Sequence, residues 1–310
     1  MSRFLNRTRK GVGLVVGAVT AGALIAGAST AVALPPSAAT KPAHAQSFQE
    51  AANKALVVHV YDQLFNHGNL SVIDKYIRPD YIQHSPQAAD GRQPLRDFVA
   101  RYDAAYPKHH TTIHRVIADG DLVVLHSNAV AVPGTRGTAR ADIFRVENGR
   151  IAEHWAVRQQ VPETTASGND MFSTLSSPRL PWPDRRVPTE VSRQAVTNLY
   201  TGIANRDLTA FDRYIADPYY QHNPWVPNGT EAVKNFFAGR WAANPDATTT
   251  VKRIIAENDY VAVYTHSKDS ADDRGMAILD IYRVREGKIV EHWDMIEAVP
   301  ATSANGNTMF

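Results

Sequence analysis

Near the end of the chain, Asp280, His292 and Asp294 stand where a hairpin could bring them together, in "LDIYRVREGKIVEHWDMI". Two close carboxylates in an apolar setting do not both ionise easily, so one pKa rises. A carboxylate raised toward neutrality suits a general base working near physiological pH. Whether the three groups meet depends on the turn at Glu286-Gly287. A two-residue turn pairs Arg285 with Lys288 and puts Asp280 on the face of Trp293, away from Asp294. A three-residue loop, with Gly287 left-handed in a bulge, pairs Val284 with Lys288. It gathers Ile278, Asp280, Tyr282, Val290, His292, Asp294 and Ile296 on one half-apolar face, because a one-residue slip exchanges faces. The bulged form is the expectation, both here and at Glu147–Gly149. A lone Asp on a strand is usually a solvated charge. What argues for a pocket is the shared register of two acids and an imidazole with apolar partners.

The pattern occurs twice. "ADIFRVENGRIAEHWAV" supplies Asp142 and His154, but Ala156 stands where the later stretch has Asp294. A second shared motif is "YIQHSP" (81–86) and "YYQHNP" (219–224). In an extended chain Tyr219 and Gln221 point one way, and Tyr220 and His222 the other. His84 and His222 are either pocket groups or histidines that fix the following loop by hydrogen bonds. No metal-ligand spacing recurs in both stretches, since His109, His110, His114 and His126 have no counterparts in the later one. No Gly-rich phosphate loop and no Gly-x-Ser-x-Gly elbow is present. No metal is expected.

The elements that would position these residues are also duplicated. Shifted by 138, the chain matches itself without a gap from Leu70 to Phe172, with about four positions in ten identical. A repeat of this length is a whole domain, not a solenoid unit. The expected boundaries are 1–45 for a secretory signal and linker, 48–172 for the first copy, 173–189 for a Pro- and Ser-rich linker, and 190–310 for the second copy. Each copy opens with a helix: Leu56, Val60, Leu64 and Phe65 recur near helical spacing, as do Val196, Leu199, Tyr200 and Ile203. A short helix follows near 71–77 and 209–215, then a third carrying Leu95, Phe98 and Val99, or Val233, Phe236 and Phe237. Strand-like runs complete each copy. Helices followed by a strand meander predict an α+β domain with helices on one face of an antiparallel sheet.

The chain has 310 residues, 44% hydrophobic and 21% charged, which is globular rather than disordered composition. "MSRFLNRTRK" and the uncharged apolar run after it resemble the n- and h-regions of an export signal, with small-residue cleavage sites at Ala31–Ala33 and Ala43–Ala45. The expectation is a secreted protein, held at the membrane only if the signal is not cleaved. Of 33 Lys and Arg, five lie in residues 1–45, which hold no acid; the remaining 28 face 31 acids, a balance of −3. The basic character therefore gives no argument for nucleic acid. With no cysteine, no disulfide supports the fold.

With "YYQHNP", "GKIVEHWD" and "VPATSANGNTMF" in view, both copies resemble the SnoaL-like polyketide cyclase family, of the nuclear-transport-factor-2-like superfamily. The "EHWD … GNTMF" ending resembles the subgroup of SnoaL-like aldol-condensation enzymes. The resemblance implies two tandem cone-shaped domains, each a curved antiparallel sheet with three helices around a cavity, which commonly pair through their sheets. It implies a cofactor-free reaction in which an Asp of the last strand removes a proton α to a carbonyl and the enolate closes a ring. That Asp corresponds to Asp294, and a pocket His corresponds to His292. A His on the preceding strand is replaced by Asp280, a departure from the family pattern. Asp142 and His154 are the corresponding groups of the first copy, which lacks the base. Tyr219, His222, Ile278, Tyr282, Ile296 and His84 are the further expected binding positions. The expected partner is a small-molecule substrate or ligand. The alternative is a non-catalytic module that binds a small apolar ligand, or a scaffold. The two copies are expected to pair with each other, burying Trp155 and Trp293 between their sheets.

Overall fold

The computed structural model describes residues 43–178 and 182–310. The expected export segment over the first residues lies outside them. Among the described residues no helix is long and apolar enough to cross a membrane.

The first copy runs α1 (Ala43–Phe65), α2 (Ser71–Tyr76), β1 (Ile77–Gln83), α3 (Arg92–Ala105), β2 (His110–Asp119), β3 (Leu122–Val130), β4 (Thr138–Glu147) and β5 (Arg150–Gln160). The second repeats that order: α4 (Thr189–Ala204), α5 (Thr209–Tyr214), β6 (Ile215–Gln221), α6 (Thr230–Ala243), β7 (Thr248–Glu257), β8 (Tyr260–Lys268), β9 (Met276–Arg285) and β10 (Lys288–Ala298). The opening helices form because one stripe is apolar. Val57, Val60, Tyr61 and Leu64 of α1 are buried, as are Val196, Leu199, Tyr200 and Ile203 of α4.

Each copy folds into a five-stranded sheet, ordered β1-β5-β4-β3-β2 and β6-β10-β9-β8-β7. The sheets are mixed rather than antiparallel as expected. β1 runs parallel to β5, and β6 to β10. The reason lies in α3 and α6, which separate β1 and β6 from the meander and let each join the far edge as a crossover.

The hairpins also differ from expectation. Arg285 pairs with Lys288 across a two-residue turn, and Glu147 with Arg150. Asn148 and Gly149 have φ of 51° and 71°, and Glu286 and Gly287 have 50° and 74°. Positive φ at both central residues is the type I′ geometry, which matches the twist of the strands. The bulge sits further along, between Ile289 and Glu291, with Val290 as the extra residue. That insertion restores the parity that the tight turn had shifted. Asp294 pairs directly with Asp280, His292 with Tyr282, and Ile296 with Ile278. The expected face forms by a different register, without Val290.

Each sheet has a helix-covered face and a face turned to the other copy. Helix-side clusters gather residues such as Tyr61, Phe144 and Ile151 in the first copy, and Tyr200, Tyr282 and Ile289 in the second. The opposite faces share one apolar cluster, holding Ile143, Trp155 and Val157 together with Ile281, Trp293 and Met295. Arg115 lies over the Trp293 ring at 3.7 Å and Arg253 over Trp155 at 4.0 Å, a reciprocal cation–π pair.

The segments after β5 and β10 cross to the other copy. Asn169 Nδ2 donates to Gln221 O and to Asn228 Oδ1, both at 2.9 Å, and Ala166 N donates to Pro224 O. In return Asn307 Nδ2 donates to Gln83 O and Asp90, and Ala304 N to Pro86 O. Each arm thus holds the loop that follows the first strand of its neighbour.

Candidate functional site

In the second copy, β9 and β10 place Asp280, Tyr282, His292 and Asp294 on the helix side of the sheet. α4 contributes Tyr200, and β6 with its following loop contributes Tyr219, Gln221 and Asn223. These residues, with Ile278 and Ile296, line a cavity of about 740 Å³.

The polar groups are joined in order. Gln221 Oε1 already accepts from Asn223 N, and it faces His292 Nδ1 at 2.7 Å. His292 Nε2 meets Asp280 Oδ1 at 2.9 Å, and Tyr200 donates to Asp280 Oδ2 at 2.7 Å. Both imidazole nitrogens therefore face acceptors, which suits the doubly protonated ring. Burial works against that charge, yet the bond to Asp280 and the charges of Asp294 and Asp280 outweigh it and raise the His292 pKa. Since the Tyr200 proton goes to Asp280, the 3.1 Å contact between Tyr200 and Tyr282 is donated by Tyr282.

Asp294 is bound less completely. Asn223 Nδ2 donates to its Oδ2 at 2.6 Å, while Oδ1 is buried without a hydrogen-bond partner. Burial raises its pKa most, opposed by the His292 charge, and the result is about 6. Tyr219 is also distinctive. Gln221 Nε2 reaches its oxygen at 3.5 Å, while its own O–H meets no acceptor among the described residues. Burial, and then the charges of Asp294 and Asp280, push its pKa well up, so it remains a donor.

Two expected binding residues lie elsewhere. His222 points to the interface: its ring stacks on Trp293 at 5.0 Å, Nε2 meets Glu291 at 2.8 Å, and Nδ1 meets the Asp170 carbonyl. His84 stacks on Trp155 at 4.7 Å, with Nε2 on Glu153 and Nδ1 on Thr308 O. Both are alternate-face residues of their motif, and their rings close the copy-to-copy contact instead of the cavity.

The sequence reading did not single out Tyr200, Gln221 or Asn223 as site residues. The alternation that placed Tyr219 and Gln221 together extends to Asn223 and could have found it. Nor did it anticipate a metal-sized cluster. Asp280, His292 and Asp294 offer ligand atoms all within 4.8 Å of one another, across a hairpin where sequence spacing gives no warning. A cation there would have to break the His292–Asp280 bond, whereas proton transfer at Asp294 needs no such rearrangement.

The first copy keeps the chain of bonds and loses its end. His154 joins Gln83 Oε1 at 3.0 Å and Asp142 Oδ1 at 2.8 Å, and Tyr61 donates to Asp142 Oδ2 at 3.1 Å. Burial opposes the Asp142 charge, but the bond to His154 and the Arg140 charge hold its pKa below the usual range. Ala156 stands where the second copy has Asp294. Arg140 and Arg158 stand where the second copy has Ile278 and Ile296, and the cavity shrinks to about 70 Å³.

The profile of the SnoaL-like domain family matches residues 57–154 and 196–292. No curated protein matches the chain. Among solved structures, IdmH from Streptomyces antibioticus, described as a candidate polyketide cyclase, is 26% identical over 34% of this chain and 90% of its own, with a TM-score of 0.29. A candidate polyketide cyclase of Acidithiobacillus ferrooxidans is 22% identical over 35% and 88%, with a TM-score of 0.31. A candidate ketosteroid isomerase of Kribbella flavida is 16% identical over 37% and 84%, with a TM-score of 0.32.

Proposed function

The chain belongs to the SnoaL-like domain family in both of its copies, and from that premise we propose that the second copy is a cofactor-free cyclase or isomerase of a small carbonyl compound. The observation that carries this reading is Asp294: a buried carboxylate at the cavity wall, one oxygen fixed by Asn223 and the other unpartnered, with a pKa of about 6.

In this reading the free Asp294 oxygen takes a proton from the carbon α to a substrate carbonyl. The C–H electron pair becomes the C=C bond of an enolate, and the carbonyl oxygen takes the negative charge. The Tyr219 hydroxyl donates to that oxygen, and the nearby His292 charge stabilises it. The enolate carbon then attacks a second carbonyl of the same molecule, forming the C–C bond of a ring. Asp294 returns its proton to the new alkoxide. In an isomerisation the proton returns to a different carbon instead. Asp280 and Gln221 hold the His292 ring in place and keep it protonated.

The first half of either reaction is measurable without knowing the natural substrate. In D2O, a panel of cyclic and open-chain 1,3-diketones should exchange α-protons faster with the protein present, as read by proton NMR. Asp294→Asn should remove the acceleration, while Asp142→Asn should leave it. Equal exchange with intact protein and Asp294→Asn would refute the catalytic reading and leave a small-ligand binding module.

A further inference from the structure

We propose that the first copy's cavity is a receptor for a small monocarboxylate, acetate-sized, bound between Arg140 and Arg158. The two arginines are direct cross-strand partners on β4 and β5. Like charges placed opposite each other on one sheet face repel, and more so where water is scarce. The second copy has an Ile–Ile pair at the same register, so the fold does not require the charges.

The groups around them leave this repulsion incompletely answered. Asp142 has both oxygens engaged, by His154 and Tyr61. Glu297 stands 3.8 Å from Arg158, and Ser85 Oγ accepts from its Nη2 at 3.3 Å, so Arg158 is partly balanced. Arg140 lies against the Tyr61 hydroxyl and near Asp142, yet its Nε is buried with no hydrogen-bond partner. The one carboxylate that the second copy carries two positions before Ile296 is missing here, because Ala156 stands in its place.

A ligand carboxylate would restore that group from outside the chain. Planar guanidinium forks match carboxylate oxygens better than they match spherical anions. The lining also holds polar Gln83 and Gln87, but Leu64, Leu95 and Phe98 give it an apolar part that suits a short alkyl tail. A volume of about 70 Å³ leaves room for on the order of five heavy atoms, since one water needs about 10–15 Å³ of such a cavity. Acetate and propionate fit that limit.

The test is calorimetric titration of the full chain with acetate at neutral pH and low salt. One saturable site is expected. Arg140→Ile/Arg158→Ile, which installs the second copy's residues, should weaken it on the order of tenfold or more, the effect of losing a charged hydrogen bond. Ala156→Asp should abolish it, because a built-in carboxylate then occupies the place of the ligand. Asp294→Asn should leave it intact. Should the double variant fail to fold, Ala156→Asp decides alone. Absence of saturable binding, binding unchanged in Ala156→Asp, or binding lost only in Asp294→Asn would each overturn the assignment.

Discussion

Asp294 sets the pH behaviour at the scale of the single residue. Its folded pKa, about 6, lies above the ordinary carboxylate value of 3.8. The folded state therefore holds the proton more tightly than the unfolded one. Stability contributed by this group is highest below pH 3.8, falls as pH rises toward 6, and stays reduced above it. Two pKa units correspond to about 3 kcal/mol. Asp294→Asn should accordingly stabilise the fold by about 1–3 kcal/mol at pH 7 and by little at pH 4. Denaturant melts at both pH values check this. Any turnover by the intact protein should rise through a limb near pH 6 that Asp294→Asn abolishes. A loss of several kcal/mol at pH 7 would instead make Asp294 a scaffold group. That Asp294 differs from Ala156 was visible by comparing the copies. The reason its oxygen is free was not, because Asn223 reaches it from a loop 71 residues away.

At the scale of elements, sequence patterning reported faces better than registers. The helical stripes and the duplicated meander could be read from apolar spacing alone. The face carrying Asp280, His292 and Asp294 was also read correctly, but through the wrong turn. A Glu-Gly or Asn-Gly pair permits either loop, and only the bulge at Val290 shows how parity is kept. Of the two roles open to His84 and His222, the pocket role fails because each ring stacks on a Trp of the adjacent strand, and hydrogen bonds fix both rings there. The crossing arms supply a sharper test. Asn169 belongs to the first copy and bonds the loop that carries Gln221 and Asn223 of the second. Asn169→Ala should cost about 1–3 kcal/mol of stability and also lower α-proton exchange. Asn307→Ala, its counterpart on the other arm, should cost a similar amount and leave exchange unchanged. Equal exchange in the two variants would show that the arm acts on stability alone.

For the whole molecule, the shared cluster between the sheets predicts joint unfolding. Trp155 and Trp293 are almost fully buried there. Trp293→Ala should cost about 3–5 kcal/mol, and calorimetry of the intact chain should show a single transition instead of two. Two separable transitions would mean that the copies fold independently and meet only weakly. The crossing arms have one more consequence, for how such a molecule can change. When two identical chains pair, every substitution arrives at both sites at once, and a loss at one is a loss at both. Carrying both copies on one chain removes that constraint. A change at position 156 is made once, while position 294 keeps its own residue. The arms make the freedom one-sided: Asn169 must still serve the neighbouring loop, however far the cavity behind it has drifted. The half that carries Ala156 is thereby free to recognise something new but not free to unfold.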